Sequence, residues 1–427
     1  MTAREYPRLG ETLYKQTLSN GLTVMVAPRP GFTRKLAYFV TDFGSIHTDF
    51  ELEGKIIHAP DGIAHFLEHK MFDLPGDRDV SAELAALGAG TNAFTSYDMT
   101  AYYISCTTNF EPALKLLLEF VSTPYFTAEG VQKEIGIIDQ EIGMHLDTPD
   151  SRVFEVLAEG LYRKHPIRIP ILGTSESIRR ITPQLLYDCH RAFYTPGNMI
   201  LCVVGDVNPD RVAQIAEEIL GSEPRPVGKK LRPWAEVMER VAAQQTLEME
   251  VAMPMFNLGF KCEHPGDGEA AIRQEMVGDL AAEALFGESS ELYLRLYEEG
   301  LIDSSFGGGF ETIDGMAMLL CSGDSDDAEA IREAVLAQAE KITREGVTEE
   351  AFGRMKRSAF GRRVRDLDSF DSTCFRLCAY ELSDYDYFNF PDVYERIEKE
   401  EIQEFLRRVV RAERCSLSVI NPLEEVN

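Results

Sequence analysis

The stretch AFTSYDMTAYYIS at residues 93–105 has a related counterpart in the second half of the chain, GFETIDGMAMLLC at residues 309–321. Two more pairs recur in the same order at nearly the same spacing: LDTPDS at 146–151 with LDSFDS at 367–372, and MILCVVGD at 199–206 with CSLSVINP at 415–422. Repetition at one spacing is the signature of a duplicated unit. The sequence therefore predicts two homologous halves of about 213 residues each.

A segment without apolar periodicity separates the halves. Residues 221–234 read GSEPRPVGKKLRPW, which is rich in proline and basic residues and contains the single tryptophan. Such a composition is typical of a boundary between domains. We therefore predict an N-terminal domain over residues 1–220, which carries the chemistry described below, a linker over 221–238 and a C-terminal domain over 239–427.

Strands and helices alternate within each half. Alternating apolar residues predict strands in the first half over residues 20–31, 35–45 and 93–105. Apolar residues at helical spacing predict helices over 61–72, 79–88 and 129–147. This mixture predicts an α+β fold with two homologous domains, each a largely antiparallel sheet with helices packed on one face.

Composition excludes several classes of protein. The chain has 427 residues, 44% of them hydrophobic, and its 43 basic and 71 acidic residues give a net charge of −28. This charge opposes binding to nucleic acid or to an anionic membrane, and the hydrophobic content argues against disorder. There is no apolar run of membrane-spanning length and no secretory pattern at the start. The eight scattered cysteines suggest a reducing compartment, so we expect a cytoplasmic protein.

The motif His65-Phe66-Leu67-Glu68-His69 carries the strongest chemical signal. On a helix, His65 and His69 are about 40° apart on one face, so both imidazoles can bind a single metal ion. Glu68 projects about 60° to the other side of His65, where a general base can take a proton from metal-bound water. This order of residues is the inverzincin motif and predicts a catalytic Zn²⁺ site.

A catalytic zinc ion needs a third protein ligand, which we expect from the helix over 129–147. Glu134 and Glu141 are seven residues apart, so they differ by about 20° and share one face of that helix. One of them can bind the metal ion while the other supports a histidine or the water molecule. His145, one turn after Glu141, is an alternative ligand.

The motif HFLEH, followed by a helix with two glutamates seven residues apart, resembles the pitrilysin/insulinase family of zinc peptidases, which includes mitochondrial processing peptidase. The resemblance continues through NGLTVMVAPRPG at 20–31, GAGTNAFTSYDMTAYY at 88–103 and FYTPGNMILCVVGDVNPD at 193–210. It implies a pair of homologous α+β domains, in agreement with the repeat. It also implies that His65, His69 and Glu141 bind zinc, that Glu68 is the catalytic base, and that Glu134 is a supporting carboxylate of the catalytic site.

The resemblance further implies how a substrate binds. In the family, the strand that corresponds to Asn92, Ala93, Phe94 and Thr95 offers its edge to the substrate peptide. Main-chain pairing of this kind would hold an extended peptide over the metal ion with few demands on the peptide sequence.

The second half is expected to lack a metal site. At an offset of 214 residues, Asp279, Ala282 and Glu283 stand opposite the histidines and glutamate of the motif. At an offset of 221 residues, Met355 and Arg362 stand opposite the two helix glutamates. No set of metal ligands is retained in these positions, so we expect zinc in the first half alone.

Family members commonly carry an arginine and a tyrosine, seven residues apart around a Gly-Leu pair, that hold the substrate carbonyl. Around Gly300-Leu301 this chain has Leu296 and Asp303 at those two positions. The departure suggests that a homologous subunit supplies the Arg/Tyr pair. We expect a homodimer or a heterodimer with such a subunit.

Together, these observations predict a zinc-dependent endopeptidase that acts on peptides or short unfolded segments. An alternative is a scaffold or assembly subunit that has kept the fold and lost catalysis, although such a protein has no need of Glu68, Glu134 and Glu141 together. A second alternative is a metal-dependent hydrolase of bonds other than peptide bonds.

Overall fold

The computed structural model describes residues 1–76, 78–232, 234–264 and 266–423. Its strands are β1 (Thr2–Tyr6), β2 (Glu11–Thr17), β3 (Thr23–Pro28), β4 (Lys35–Thr41), β5 (Asp49–Leu52), β6 (Lys55–His58), β7 (Ala89–Thr95), β8 (Thr100–Cys106), β9 (Met199–Gly205), β10 (Lys229–Lys230), β11 (Gln244–Met249), β12 (Met255–Cys262), β13 (Gly307–Ile313), β14 (Met316–Asp324) and β15 (Cys415–Pro422).

Its helices are α1 (Ile63–Lys70), α2 (Val80–Ala86), α3 (Phe110–Ser122), α4 (Ala128–Leu146), α5 (Pro149–Leu161), α6 (Ser175–Ile178), α7 (Pro183–Phe193), α8 (Pro209–Leu220), α9 (Glu269–Phe286), α10 (Glu291–Glu298), α11 (Ala328–Glu345), α12 (Glu349–Asp366), α13 (Phe370–Leu382), α14 (Phe390–Arg396) and α15 (Lys399–Val409).

The first of two compact units comprises Met1–Ile142, Pro170–Pro233 and Val364–Asn389. Its main sheet has the order β1-β2-β3-β9-β4-β8-β7, in which only the β3–β9 pair is parallel. A small sheet of order β10-β5-β6 belongs to the same unit. The main sheet ends in β7, so β7 has a strand partner on one side only among the described residues.

The second unit comprises Gly143–Ile169, Trp234–Arg363 and Phe390–Asn427. Its sheet has the order β11-β15-β12-β14-β13, again with one parallel pair, β11–β15. This order repeats β3-β9-β4-β8-β7 of the first unit strand for strand. The predicted duplication and the α+β class are therefore confirmed, and each sheet is largely antiparallel as expected.

The centre of each sheet is the most apolar part of the sequence. In the first unit β9 is buried at all seven positions, and β4 at six of its seven. Central strands covered on both faces read as continuous apolar runs, because removing this surface from water is the main stabilising contribution to folding. The edge strand β7 has instead one buried residue, Ala89, and is otherwise exposed or partly buried.

The segment over 93–105, predicted as one strand, is a hairpin. The chain leaves β7 after Thr95, turns, and returns as β8 from Thr100. Ser96 N donates to Met99 O at 2.8 Å, and Ser96 Oγ donates to Asp98 Oδ1 at 2.7 Å. Serine and aspartate stabilise turns through such short-range hydrogen bonds. Ser96 and Asp98 therefore indicated a turn, but the alternation of apolar residues led to the prediction of one strand.

The compact units are discontinuous in sequence, unlike the contiguous domains predicted over 1–220 and 239–427. Helix α5 lies in the second unit and packs on β12 and β15, whereas α13 lies in the first unit and packs on β4 and β9. The division between Pro233 and Trp234 falls inside the predicted linker, 221–238, which also contributes β10 to the small sheet.

All eight cysteines are buried and free, in agreement with their interpretation as small core residues. Among the helices of the described residues, none has the length and apolar character that a bilayer crossing demands.

Candidate metal centre

Helix α1 presents the HxxEH motif from inside the core of the first unit. It begins after Gly62, whose φ of +86° is a conformation that L side chains rarely adopt. A Cβ at this position would also lie 2.4 Å from the carbonyl oxygen of Leu172, so both the turn and the close approach require glycine. Seven of the eight residues of the helix are buried. Packing of these residues therefore holds the motif in place, and His69 is its one partly exposed member.

The two histidines share one face of α1, as predicted from their spacing. Their ring centroids are 4.5 Å apart. His65 is 7% exposed, and its Nδ1 has no hydrogen-bond partner among the described residues. Both rings direct Nε2 toward the same carboxylate, that of Glu141 on α4.

Helix α4 follows the prediction for residues 129–147, since it spans Ala128–Leu146. Val131, Ile138 and Ile142 anchor it in the core. Glu134 and Glu141 then project from one face toward α1, but they contact different atoms. The apolar side of α4 fixes its position against α1. The two carboxylates are two turns apart along α4, so they reach different nitrogen atoms of the histidine rings.

Glu141 is the glutamate placed to complete a metal site. Its Oε1 lies 3.6 Å from His65 Nε2, and its Oε2 lies 3.6 Å from His69 Nε2. Zn–N and Zn–O bonds of about 2.0–2.2 Å at tetrahedral angles separate neighbouring ligand atoms by about 3.3–3.6 Å. Within the described part of the chain, these three residues form the only group of potential ligands whose atoms all lie within 4.8 Å of one another. Their chemistry and their spacing both fit zinc.

Glu134 contacts the other side of His69. Its Oε1 accepts a hydrogen bond from His69 Nδ1 at 3.0 Å, which leaves the lone pair of that ring on Nε2. Burial lowers the pKa of His69, but the hydrogen bond to Glu134 and the charges of Glu134, Glu68 and Glu141 outweigh burial and raise it. Burial acts to raise the pKa of Glu134, yet His69 and the ammonium of Lys70, 3.6 Å away, hold it below its usual value.

Glu68 lies beside this cluster and is 8% exposed. Thr95 Oγ1, at the end of β7, donates a hydrogen bond to Glu68 Oε2 at 2.6 Å. This bond fixes one carboxylate oxygen and leaves Oε1 as the oxygen that can accept a proton. It also ties the edge strand to the metal-binding helix.

The four residues predicted to bind substrate lie on β7. Asn92, Ala93, Phe94 and Thr95 pair with β8 on one side, and β7 is an edge of its sheet. Asn92 is exposed, whereas the ring of Phe94 is half-buried and lies 6.1 Å from that of Phe375 on α13. Among the described strands β7 pairs with β8 alone, and the binding of a peptide to its other edge stays a prediction.

His145, the alternative ligand, has a different partner. Its Nε2 lies 2.7 Å from Glu155 Oε1, and Arg152 also pairs with that glutamate. It is not a member of the group of potential metal ligands.

Sequence analysis overlooked Lys70. This residue directly follows the motif, is 2% exposed, and pairs with Asp73 as well as with Glu134. A buried lysine is costly unless it is paired, so its role is to fix the Glu134 carboxylate. One sequence feature pointed to its burial: Lys70 lies one helical turn after Phe66, on the same face of α1. From sequence alone, however, a lysine is expected to face solvent.

Comparison with known proteins identifies the family. The family model described as Insulinase (Peptidase family M16) matches residues 57–175, and the model described as Peptidase M16 inactive domain matches residues 180–359. The uncharacterized zinc protease YmfH of Bacillus subtilis is 37% identical to this chain and aligns over 98% of each protein. The chain belongs to the M16 family of peptidases.

Solved structures extend the comparison. An M16-like peptidase from Alicyclobacillus acidocaldarius is 32% identical, with a TM-score of 0.93 over 99% of this chain and 100% of the other. A protease from Helicobacter pylori, at 20% identity, shares the fold with a TM-score of 0.80 over 96% of this chain and 99% of the other.

The second unit of this M16 chain carries ion pairs at the positions that correspond to the metal-ligand cluster. Arg362, which stands opposite Glu141 in the repeat, donates to Glu283 Oε2 at 2.9 Å. Arg363 is buried and donates to Glu275 and Asp279 at 2.6 and 2.8 Å. Guanidinium groups therefore neutralise the carboxylates of α9 directly, and a positive charge is held where a metal ion would need to bind.

Proposed function

We propose that this M16 member is a zinc-dependent endopeptidase that hydrolyses peptides or short unfolded segments. The observation that carries the proposal is the convergence of His65, His69 and Glu141, with ligand atoms within 4.8 Å of one another, beside the buried carboxylate of Glu68. Relatives named zinc proteases support the choice of metal and of reaction class.

Each residue of the centre has a distinct task in this proposal. A zinc ion held by His65, His69 and Glu141 would polarise the scissile carbonyl and acidify a water molecule. Glu68 accepts the proton of the attacking water at Oε1, while Thr95 holds Oε2. The same carboxyl group then gives the proton to the leaving amine as the C–N bond breaks.

The edge strand supplies orientation. An extended peptide that adds to β7 would run along Asn92 to Thr95 and reach the position at which Thr95 bonds Glu68. Main-chain pairing favours extended segments over folded proteins, because a folded substrate has no unpaired backbone to offer. Unfolded peptides are therefore the expected substrates.

Metal analysis combined with peptide cleavage tests the proposal. Wild type is expected to contain one zinc ion and, with a homologous subunit added, to cleave a library of quenched-fluorescent peptides. Glu68→Gln should retain the zinc and lose turnover, whereas Glu217→Gln, an exposed position on α8, should behave as wild type. Zinc binding without cleavage, both by the wild type alone and with homologous subunits added, would favour a scaffold, and cleavage of esters alone would favour a different hydrolase.

We propose in addition that a homologous subunit completes the site. At the positions where relatives of this family carry arginine and tyrosine, Leu296 is buried on α10 and Asp303 accepts a hydrogen bond from Ser305 N. Neither side chain can donate to a substrate carbonyl. Full activity of the purified chain as a homodimer would contradict a need for a different partner, and activation by a homologous subunit would support it.

A further inference from the structure

One cavity of the first unit has the character of a ligand site. Its volume is about 550 Å³, and its walls come from α7, the end of α3, the turn after β5 and the segment after α8. Small-molecule sites typically enclose about 300–1,000 Å³. None of the residues of the candidate metal centre lines it. It is therefore a separate site.

The apolar walls are firmly built. Leu52 belongs to the buried core, and Tyr194 is buried with its hydroxyl 2.8 Å from that of Tyr102. The imidazole of His190 stacks on the Tyr194 ring at a centroid distance of 4.9 Å. Pro124 and Pro226 restrict the backbone at two further points of the wall. Such rigid walls favour a ligand with an aromatic or aliphatic group that fits the cavity without movement of the protein.

The positive charge of the cavity comes from arginine. Arg191 lines it and is paired with Asp188 at 2.9 Å. Arg225, an exposed residue, also lines it and, within the described residues, makes no ion pair. Burial, together with the charge of Arg225, lowers the pKa of His190 to about 4, so its imidazole is neutral near pH 7. An unpaired guanidinium beside a preformed apolar cavity can bind a carboxylate through two parallel hydrogen bonds.

One buried hydroxyl also lacks a partner. Thr195 lines the cavity, is 1% exposed, and its Oγ1 makes no hydrogen bond within the described part of the chain. A buried hydroxyl without a partner is costly, so a ligand that supplies an acceptor gains from satisfying it. Glu53 contributes one negative charge to the lining, so the cavity favours a ligand with a single negative charge over one with two.

We propose that this cavity binds a small monocarboxylate with an aromatic or branched aliphatic body, whose carboxylate pairs with Arg225. The overall charge of −28 repels anions from most of the surface, so binding here depends on that local cation. The proposal stands apart from the peptidase function, because it uses none of the residues that would hold zinc.

Titration calorimetry with three probes tests it: 4-phenylbutyrate, the uncharged 4-phenylbutyramide, and acetate. The phenylbutyrate is expected to bind with a Kd below about 1 mM, and the amide and acetate each at least about 10-fold more weakly. Arg225→Gln should weaken phenylbutyrate binding about 10-fold, and Thr195→Val about 3-fold. Arg180→Gln, an exposed arginine outside the lining, should leave it within twofold of wild type.

Three results would overturn the proposal. One is the absence of phenylbutyrate binding to the folded wild-type protein. Another is equal binding by wild type and Arg225→Gln, because the carboxylate would then be held elsewhere. The third is loss of binding when zinc is removed by a chelator, which would assign the carboxylate to the metal centre.

Discussion

The carboxylate of Glu134 offers the sharpest test of how the metal centre is built. Glu134→Gln keeps an oxygen that can accept from His69 Nδ1, where the distance is now 3.0 Å, but it removes the negative charge. Exchanging a charge-assisted hydrogen bond for a neutral one costs about 1.5 kcal/mol, which corresponds to about a 10-fold weaker affinity. Losses of about 10- to 100-fold are typical when a partner of a metal-binding histidine is changed.

The structure predicts a different size of effect for Glu141→Gln. This residue faces Nε2 of both histidines at 3.6 Å, so its replacement removes a charged ligand and should weaken zinc binding by more than about 100-fold. Glu129→Gln, on the exposed first turn of the same helix, should leave affinity unchanged.

Zinc affinities of the four proteins can be measured by competition with a chromophoric chelator, and kcat can be measured at saturating zinc. The expected order of affinity is wild type equal to Glu129→Gln, then Glu134→Gln, then Glu141→Gln. Equal losses for the two inner glutamates would mean that both bind the metal ion. An unchanged affinity in Glu134→Gln would show that its contact with His69 does not support the site.

Two further predictions follow from buried hydrogen bonds. Thr95→Val removes the donor 2.6 Å from Glu68 Oε2 and should lower kcat about 10-fold at unchanged zinc content. Thr91→Val, on the same strand, should leave kcat unchanged. Equal kcat values for wild type and Thr95→Val would contradict the positioning role of Thr95. His190 donates to Val121 O, and its pKa is lowered to about 4 in the folded protein. Its contribution to the free energy of unfolding is therefore complete above the unfolded pKa near 6.5. That contribution is lost as the pH falls toward 4. Urea unfolding should show about 3 kcal/mol of pH-dependent loss over this interval that is absent from His190→Gln, and parallel pH profiles of the two proteins would refute the assignment.

The metal-binding helix shows why part of the site could be predicted. His65 and His69 share a face because of helical geometry alone, and the same geometry puts Glu134 and Glu141 on one side of α4. Neither inference needs knowledge of any other element. Helical geometry alone left open which glutamate meets the two Nε2 atoms, because this depends on how α4 is placed against α1; the family resemblance named Glu141, and the distances place it there.

The hairpin over 93–105 and the exchanged helices show the limit of local patterns. Apolar alternation continues through Ser96–Met99, but the turn there creates the edge strand that the proposed function requires. Helices α5 and α13 carry related sequences. Helix α5 comes from the first half of the chain but packs on the sheet formed by the second half, and α13 does the reverse. Such packing is decided by contacts between residues far apart in the chain.

The duplication, the α+β class, and the residue types and helix faces of the metal centre could be predicted from the amino-acid order, because they follow from repeats and from the 3.6-residue geometry of a helix. The family resemblance named Glu141, but its distances to both histidines and the support of Glu134 by buried Lys70 come from the folded chain. The same holds for Arg225, which makes no ion pair with any described residue beside its cavity. Burial and charge pairing depend on distances in space, which the order of residues does not contain.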